Sequence, residues 1–77
     1  MSNSALAKEV VRNVVHLIDK HGTNKRTVAI GAGMPVETFN RRISGTSTTP
    51  FNLDEVQAIA AHFQVSIHSI VPNEVTS

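Results

Sequence analysis

Apolar residues recur at three- and four-residue steps near the start of the chain. Leu6, Val10, Val14, Leu17 and Ile18 fall on one side of a helix, with polar residues on the other. The pattern predicts a helix over residues 4–20, capped by Ser4 and stopped by Gly22. A shorter helix follows. Asn24 suits its N-terminus, Val28, Ala29 and Ala32 form its apolar side, Gly31 weakens it and Gly33 ends it. Met34 precedes a proline and is therefore biased to extended backbone. Pro35, with a fixed φ and no N–H to satisfy, suits the first position of a third helix over residues 35–44. In that helix Phe39 and Ile43 face inward, and Gly45 is the stop.

After a polar loop over residues 46–50 the helical pattern resumes. Asn52 with Glu55 three residues later is a capping-box signature, and Phe51 and Val56 flank it as a hydrophobic staple. The fourth helix, running through Phe63, is expected to bury Leu53, Val56, Ile59, Ala60 and Phe63. Ser66 caps a last short helix carrying Ile67, Ile70 and Val71, which Pro72 stops, and residues 73–77 form a frayed tail. No strand-period segment and no internal repeat competes with this pattern. The expectation is an all-α fold, a compact five-helix domain over residues 1–77 held mostly by local contacts.

Composition narrows the classes. With 77 residues and no cysteine, the core is small and has no disulfide to staple it, and thiolate zinc sites are excluded. The missing cysteines fit a reducing compartment. No apolar run approaches the roughly 20 residues that span a bilayer. Residues 1–4 lack a basic segment followed by an apolar one, so no signal peptide is expected. These features make a cytosolic protein with no membrane partner the default.

Net charge is only +1, but its distribution is uneven. Over residues 1–19, Lys8 and Arg12 balance Glu9 and Asp19. Over residues 20–42, Lys20, Lys25, Arg26, Arg41 and Arg42 face Glu37 alone, a local +4. Beyond residue 42 there is no Lys or Arg, and Asp54, Glu55 and Glu74 give −3. Such a dipolar chain orients on a polyanion; the alternative is a chance cluster on a solvated face.

The segment KRTVAIGAGMPVETFNRRISG, residues 25–45, places Ala29, Gly33 and Phe39 four and then six residues apart. Two helices that cross closely need a small residue at the contact, which Ala29 supplies. A tight turn between them needs a residue at positive φ, which Gly33 adopts without a Cβ penalty. The second helix then drops one large side chain, Phe39, into the core and leaves its opposite face outward. An ordinary helical hairpin that only builds a core would use the same spacing.

The segment resembles the helix-turn-helix of the lambda-repressor-like family, the group of phage repressors, Cro proteins and many small bacterial regulators. The resemblance covers about residues 5–71, with the helix-turn-helix at about 24–45. It rests on Val28-Ala29 followed by Gly33-Met34, on Phe39, and on Arg42-Ile43-Ser44-Gly45, similar to the Arg-Leu-Ser-Gly ending of many members. The stretch FNLDEVQAIAAHFQVSIHSI is similar to the family's closing helices, with Leu53, Ile59, Ala60, Val65 and Ile70 at apolar places. Two positions depart from the pattern. Pro35 stands where a Ser or Thr caps the third helix, and Lys25 where Gln is common.

The resemblance implies a sequence-specific regulator of transcription that binds a double-stranded DNA operator in the major groove. A phage Cro-like or immunity repressor, acting in a bacterial cytoplasm, is the form expected. The family's base-reading positions fall on Val36, Glu37 and Arg41, with Asn40 next. The chemistry suits them. Arg41 offers a fork to guanine, Asn40 pairs with adenine, Glu37 accepts from the cytosine amino group, and Val36 meets the thymine methyl. Glu37 and Arg41 also have the spacing of an intrahelical ion pair, in which Glu37 orients Arg41. Backbone contacts are expected around this face, from Asn24, Lys25 and Arg26 before it, from Thr38 on its flank, and from Arg42, Ser44, Thr46, Ser47 and Thr48 after it.

His16, His21, His62 and His68 are the only imidazoles, and no pair has the i,i+4 spacing that puts two ligands on one helix face. His62 beside Phe63 suits a partly buried packing role. Asp54 and Glu55 lie in the first turn of a helix, where they favour its dipole rather than acid–base work. No metal, no cofactor and no enzymatic activity is expected. Two other classes stay open: an antitoxin-like protein-interaction module, and a DNA-bending excision or architectural factor. A homodimer on DNA is also open, because Val65, Ile67, Ile70 and Val71 suit either a small interface or the closing of the core.

Overall fold

Four α-helices follow one another in the computed structural model, which describes residues 2–45 and 50–71, and side chains from residue 7 onward. They are α1 (Ser2–Lys20), α2 (Lys25–Gly31), α3 (Val36–Ser44) and α4 (Leu53–Phe63), and a 3-10 turn (Ile67–Ser69) follows α4. Among the described residues there is no strand. The Cα radius of gyration is 11.7 Å, close to the value of about 11.5 Å for a compact chain of this length.

The core is a single apolar cluster fed by every helix. Val10, Val14, Leu17 and Ile18 come from α1, Val28 and Ala29 from α2, Phe39 from α3, and Val56, Ile59, Ala60 and Phe63 from α4. Met34, Phe51 and Ile70 enter it from the connections. Packing joins α2 to both α3 and α4, α1 to α3, and α4 to the 3-10 turn. Ala29 is fully buried, where its single methyl leaves room for neighbouring backbone to approach.

The helix ends explain the sharp turns. After α1, Thr23 N–H donates to Ile18 O at 3.1 Å and Gly22 N–H to Asp19 O at 3.2 Å. After α2 the pattern repeats: Met34 N–H donates to Ala29 O at 2.9 Å and Gly33 N–H to Ile30 O at 3.0 Å. Both are Schellman closures, in which the residue before the last donor must turn left-handed. Gly33 has φ +74° and so carries that turn, and it delivers Met34 into the core. Asn24 caps α2, its side-chain oxygen accepting from Thr27 N–H at 2.8 Å. Asn52 and Glu55 form the full capping box on α4, and Phe51 and Val56 on either side of the cap are both buried.

Several expectations are corrected. The first helix begins at Ser2, so Ser4 lies inside it and is not its cap. No Gly or Pro in residues 2–4 interrupts the helix there. Pro35 is the cap of α3 rather than its first residue, with φ −59° and ψ 137°. A cap residue donates no intrahelical bond, so the missing N–H costs nothing, and Pro35 O accepts from Phe39 N–H at 3.0 Å. Leu53 is 64% exposed, not buried. As the first residue of α4 its side chain points back past the helix end, and Phe51 fills the core instead. The fifth helix is only a 3-10 turn, with Ser69 N–H to Ser66 O and Ile70 N–H to Ile67 O both at 2.9 Å. Three helical residues are too few to propagate an α-helix. Ile70 is fully buried and Val65, Ile67 and Val71 pack against the core, so these residues close the domain. Pro72, the expected tail 73–77 and the loop 46–49 lie outside the described residues.

Candidate functional site

The outward side of α3 follows from where its two apolar anchors point. Phe39 is fully buried and Ile43 packs partly against the core, so residues about 180° away on the helix face solvent. Glu37, Asn40 and Arg41 are all exposed, while Val36 and Thr38 are half-buried at the margins. Val36 also packs against the core. Arg41 Nη2 donates to Glu37 Oε2 at 3.1 Å, with the two side chains 62% and 79% exposed. That i,i+4 pair lies along the outer surface and holds the Arg41 guanidinium over the helix. An exposed pair of this kind is worth no more than about 0.5 kcal/mol to stability.

A solvent-open depression separates this face from the start of α2. Its walls are Asn24, Lys25 and Arg26 on one side and Val36 and Asn40 on the other, with Ile18 of α1 also contributing. Gly33 makes this possible, because the tight turn after α2 brings the first turn of α3 back beside the first turn of α2. Lys25 and Arg26 are both exposed there. Residues ten or more apart in sequence thus share one surface that carries two cations, two amides and an apolar patch.

The C-terminal end of α3 is arranged differently. Ser44 is exposed, and its hydroxyl donates to Arg41 O at 3.3 Å. Arg42 turns off the outer face: its Nε lies 2.9 Å from Glu55 Oε1, and the two side chains are only 14% and 17% exposed. Glu55 Oε1 also accepts from Asn52 N–H at 3.0 Å. Thr46, Ser47 and Thr48 lie outside the described residues.

Two participants were not singled out from the sequence. Ile18 lines the depression although its spacing marks it only as core, which it also is. The spacing of Glu55 marks it as a cap residue, and nothing in the linear pattern says that the same carboxylate meets Arg42. Two histidines pack on Phe63. His62 is half-buried, lies against Gly31 and meets the Phe63 ring edge-on at 5.2 Å, and the His21 ring lies 5.0 Å from that of Phe63 at an angle of 51°. Among the described residues no three His, Asp or Glu side chains gather as metal ligands, and no helix is long and apolar enough to cross a membrane. No protein-family model, no curated protein and no solved structure matches this chain.

Proposed function

We propose that the chain is a lambda-repressor-like helix-turn-helix domain that binds double-stranded DNA, with α3 in the major groove, and regulates transcription by occupying an operator as a repressor. The observation that carries this reading is the shared surface of α2 and α3. Exposed Glu37, Asn40 and Arg41 stand beside exposed Lys25 and Arg26, and Asn24, Lys25, Arg26, Val36 and Asn40 wall one depression. A groove reader needs polar side chains on the outer face of a rigid helix and cations beside it for the flanking phosphates.

In this reading α3 is the recognition helix. Arg41 forks onto O6 and N7 of a guanine, and its bond to Glu37 orients the guanidinium while neutralising an acid that would otherwise repel phosphate. Asn40 and Val36 read neighbouring base edges, and Lys25 and Arg26 neutralise the backbone. The local +4 over residues 20–42 turns this side of the molecule toward the polyanion.

The test is selection of bound duplexes from a random pool, followed by titration of the enriched duplex over a range of salt. An enriched sequence, bound with affinity that falls steeply with salt, supports the proposal. A palindromic sequence identifies a dimer on DNA, and a single short site a monomer. No enrichment and no salt-dependent binding overturns the proposal and favours a protein partner instead. A large bend in circular-permutation gel shifts would favour an architectural role.

A further inference from the structure

Arg41 and Arg42 are adjacent in sequence and have opposite surroundings. Arg41 is 62% exposed on the outer face, whereas Arg42 is 14% exposed and sits against Glu55. Being next to the proposed DNA surface, Arg42 would ordinarily be read as a phosphate contact. Its guanidinium is instead directed at α4.

The carboxylate it meets is itself fixed. Glu55 N–H donates to Asn52 Oδ1 at 2.7 Å, and Glu55 Oε1 accepts from Asn52 N–H at 3.0 Å. These reciprocal bonds lock the first turn of α4, so Glu55 presents Oε1 at a set position. Arg42 Nε lies 2.9 Å from that same oxygen. The ion pair thus ties the last turn of α3 to the first turn of α4, across the connection that joins them. The tie matters because α3 packs chiefly on α2 and to a lesser extent on α1, so the ion pair adds a link toward α4. The Phe39 ring also lies 5.6 Å from that of Phe51, which precedes the cap of α4. Phe39 anchors the middle of α3 and Ile43 packs only partly against the core near its C-terminal end, so the ion pair adds a directional hold on that end.

We propose that Arg42 and Glu55 form a clamp that sets the orientation of α3, which makes Arg42 a positioning residue for DNA recognition and not a phosphate ligand. This rests on the DNA-binding reading above. Orientation matters there because a fork-to-base contact tolerates only small displacements, while phosphate contacts are more forgiving. The clamp also removes the charge of Glu55 from the electrostatic balance near the polyanion.

The experiment compares wild type, Arg42→Gln and Glu55→Gln, each checked by thermal melt. The probes are the duplex enriched by wild type and a random-sequence duplex, titrated over a salt series. Glu55→Gln is the sharper variant, because Gln also serves at this capping-box position and leaves the α4 cap in place. It also removes a negative charge, which by electrostatics alone would tighten binding to DNA. The clamp predicts the reverse: both variants lose about tenfold on the enriched duplex, in the range of coupled neighbours, with little loss on the random one. Their salt slopes stay at the wild-type value. Amide exchange over residues 40–45 in the free protein should be faster in both variants. The clamp is overturned if Glu55→Gln binds as tightly as wild type, or if exchange over residues 40–45 is unchanged. It is equally overturned if Arg42→Gln lowers the salt slope by about one, the mark of a lost phosphate contact. Failure of wild type to bind any duplex would instead sink the DNA-binding reading, and the role of Arg42 in recognition with it.

Discussion

The Phe39 and Phe51 rings meet at 5.6 Å between centroids and an angle of 58°, joining the middle of α3 to the residue that precedes the cap of α4. Phe39 is fully buried and Phe51 nearly so. Tilted contacts of this kind add to the burial of the rings themselves. Phe39→Ala should therefore destabilise the domain by about 3–5 kcal/mol. That is a large share of the roughly 5–15 kcal/mol that holds a typical domain together. Urea denaturation followed by circular dichroism measures it. A variant as stable as wild type would contradict the core assignment.

Two helix ends with the same closure predict opposite responses. Gly33 has φ +74°, and a Cβ added there would meet no atom within 4 Å, so the cost of a side chain is conformational alone. Gln64 closes α4 with φ 59°, and Val65 N–H donates to Ala60 O at 3.0 Å in the same way that Met34 bonds Ala29. Gly33→Ala should destabilise by about 1 kcal/mol, and Gln64→Gly should stabilise by a similar or smaller amount. Gly33→Val should cost more, because a β-branched residue fits the left-handed region worst. Thermal melts of the variants test the pair. Shifts of the same sign for Gly33→Ala and Gln64→Gly would contradict the account.

Gly31 breaks the usual rule for a helical glycine. Gly→Ala in a helix ordinarily stabilises by about 0.5–1 kcal/mol. From the sequence, Gly31→Ala is expected to be tolerated or mildly stabilising. In the structure a Cβ at Gly31 would run into the imidazole of His62, which packs between α2 and the Phe63 ring. Gly31→Ala should give no gain, and a loss if His62 cannot swing out. In a His62→Ala background the same change should recover the ordinary stabilisation. A double-mutant cycle in chemical denaturation reads the coupling. Additive effects would mean the two residues do not compete for space.

Arg41 and Lys25 separate base reading from charge. Arg41→Ala should change stability by less than about 0.5 kcal/mol, because its pair with Glu37 is exposed. It should weaken binding to the enriched duplex by about 1–3 kcal/mol and relax the preference at one G·C pair. Arg41→Lys should recover only part of this, since it keeps the charge and loses the fork. Lys25→Ala should weaken binding to all duplexes about equally and lower the salt slope by about one. Titration against duplexes changed one base pair at a time decides between the roles. A uniform loss for Arg41→Ala would make it a phosphate contact.

Local signals in the sequence determined four helical segments and several of their ends, though not the start of α1 or the 3-10 form of the last turn. Periodic apolar positions define the buried sides of α1 and α4, Asn24 and Asn52 each bond within their own first turn, and Gly33 is needed wherever the chain turns left-handed after α2. Each depends on residues within about five positions of one another, so a linear pattern is enough to find it. The outward direction of Arg41 and Glu37 follows from Phe39 and Ile43 by helical geometry alone, but the same geometry puts Thr38 on the outer flank and Asn40 at the edge, whereas Thr38 is half-buried and Asn40 exposed. Tertiary structure decided the rest. Whether Leu53 is buried depends on what lies beyond the end of α4, not on its spacing. The partner of Gly31 is thirty-one residues away, at His62. Arg42 and Arg41 are the same residue type on one helix, yet Arg41 meets solvent and Arg42 meets Glu55 in the first turn of α4. These contacts join residues that chain closure, not local preference, brings together, and no period along the sequence encodes them.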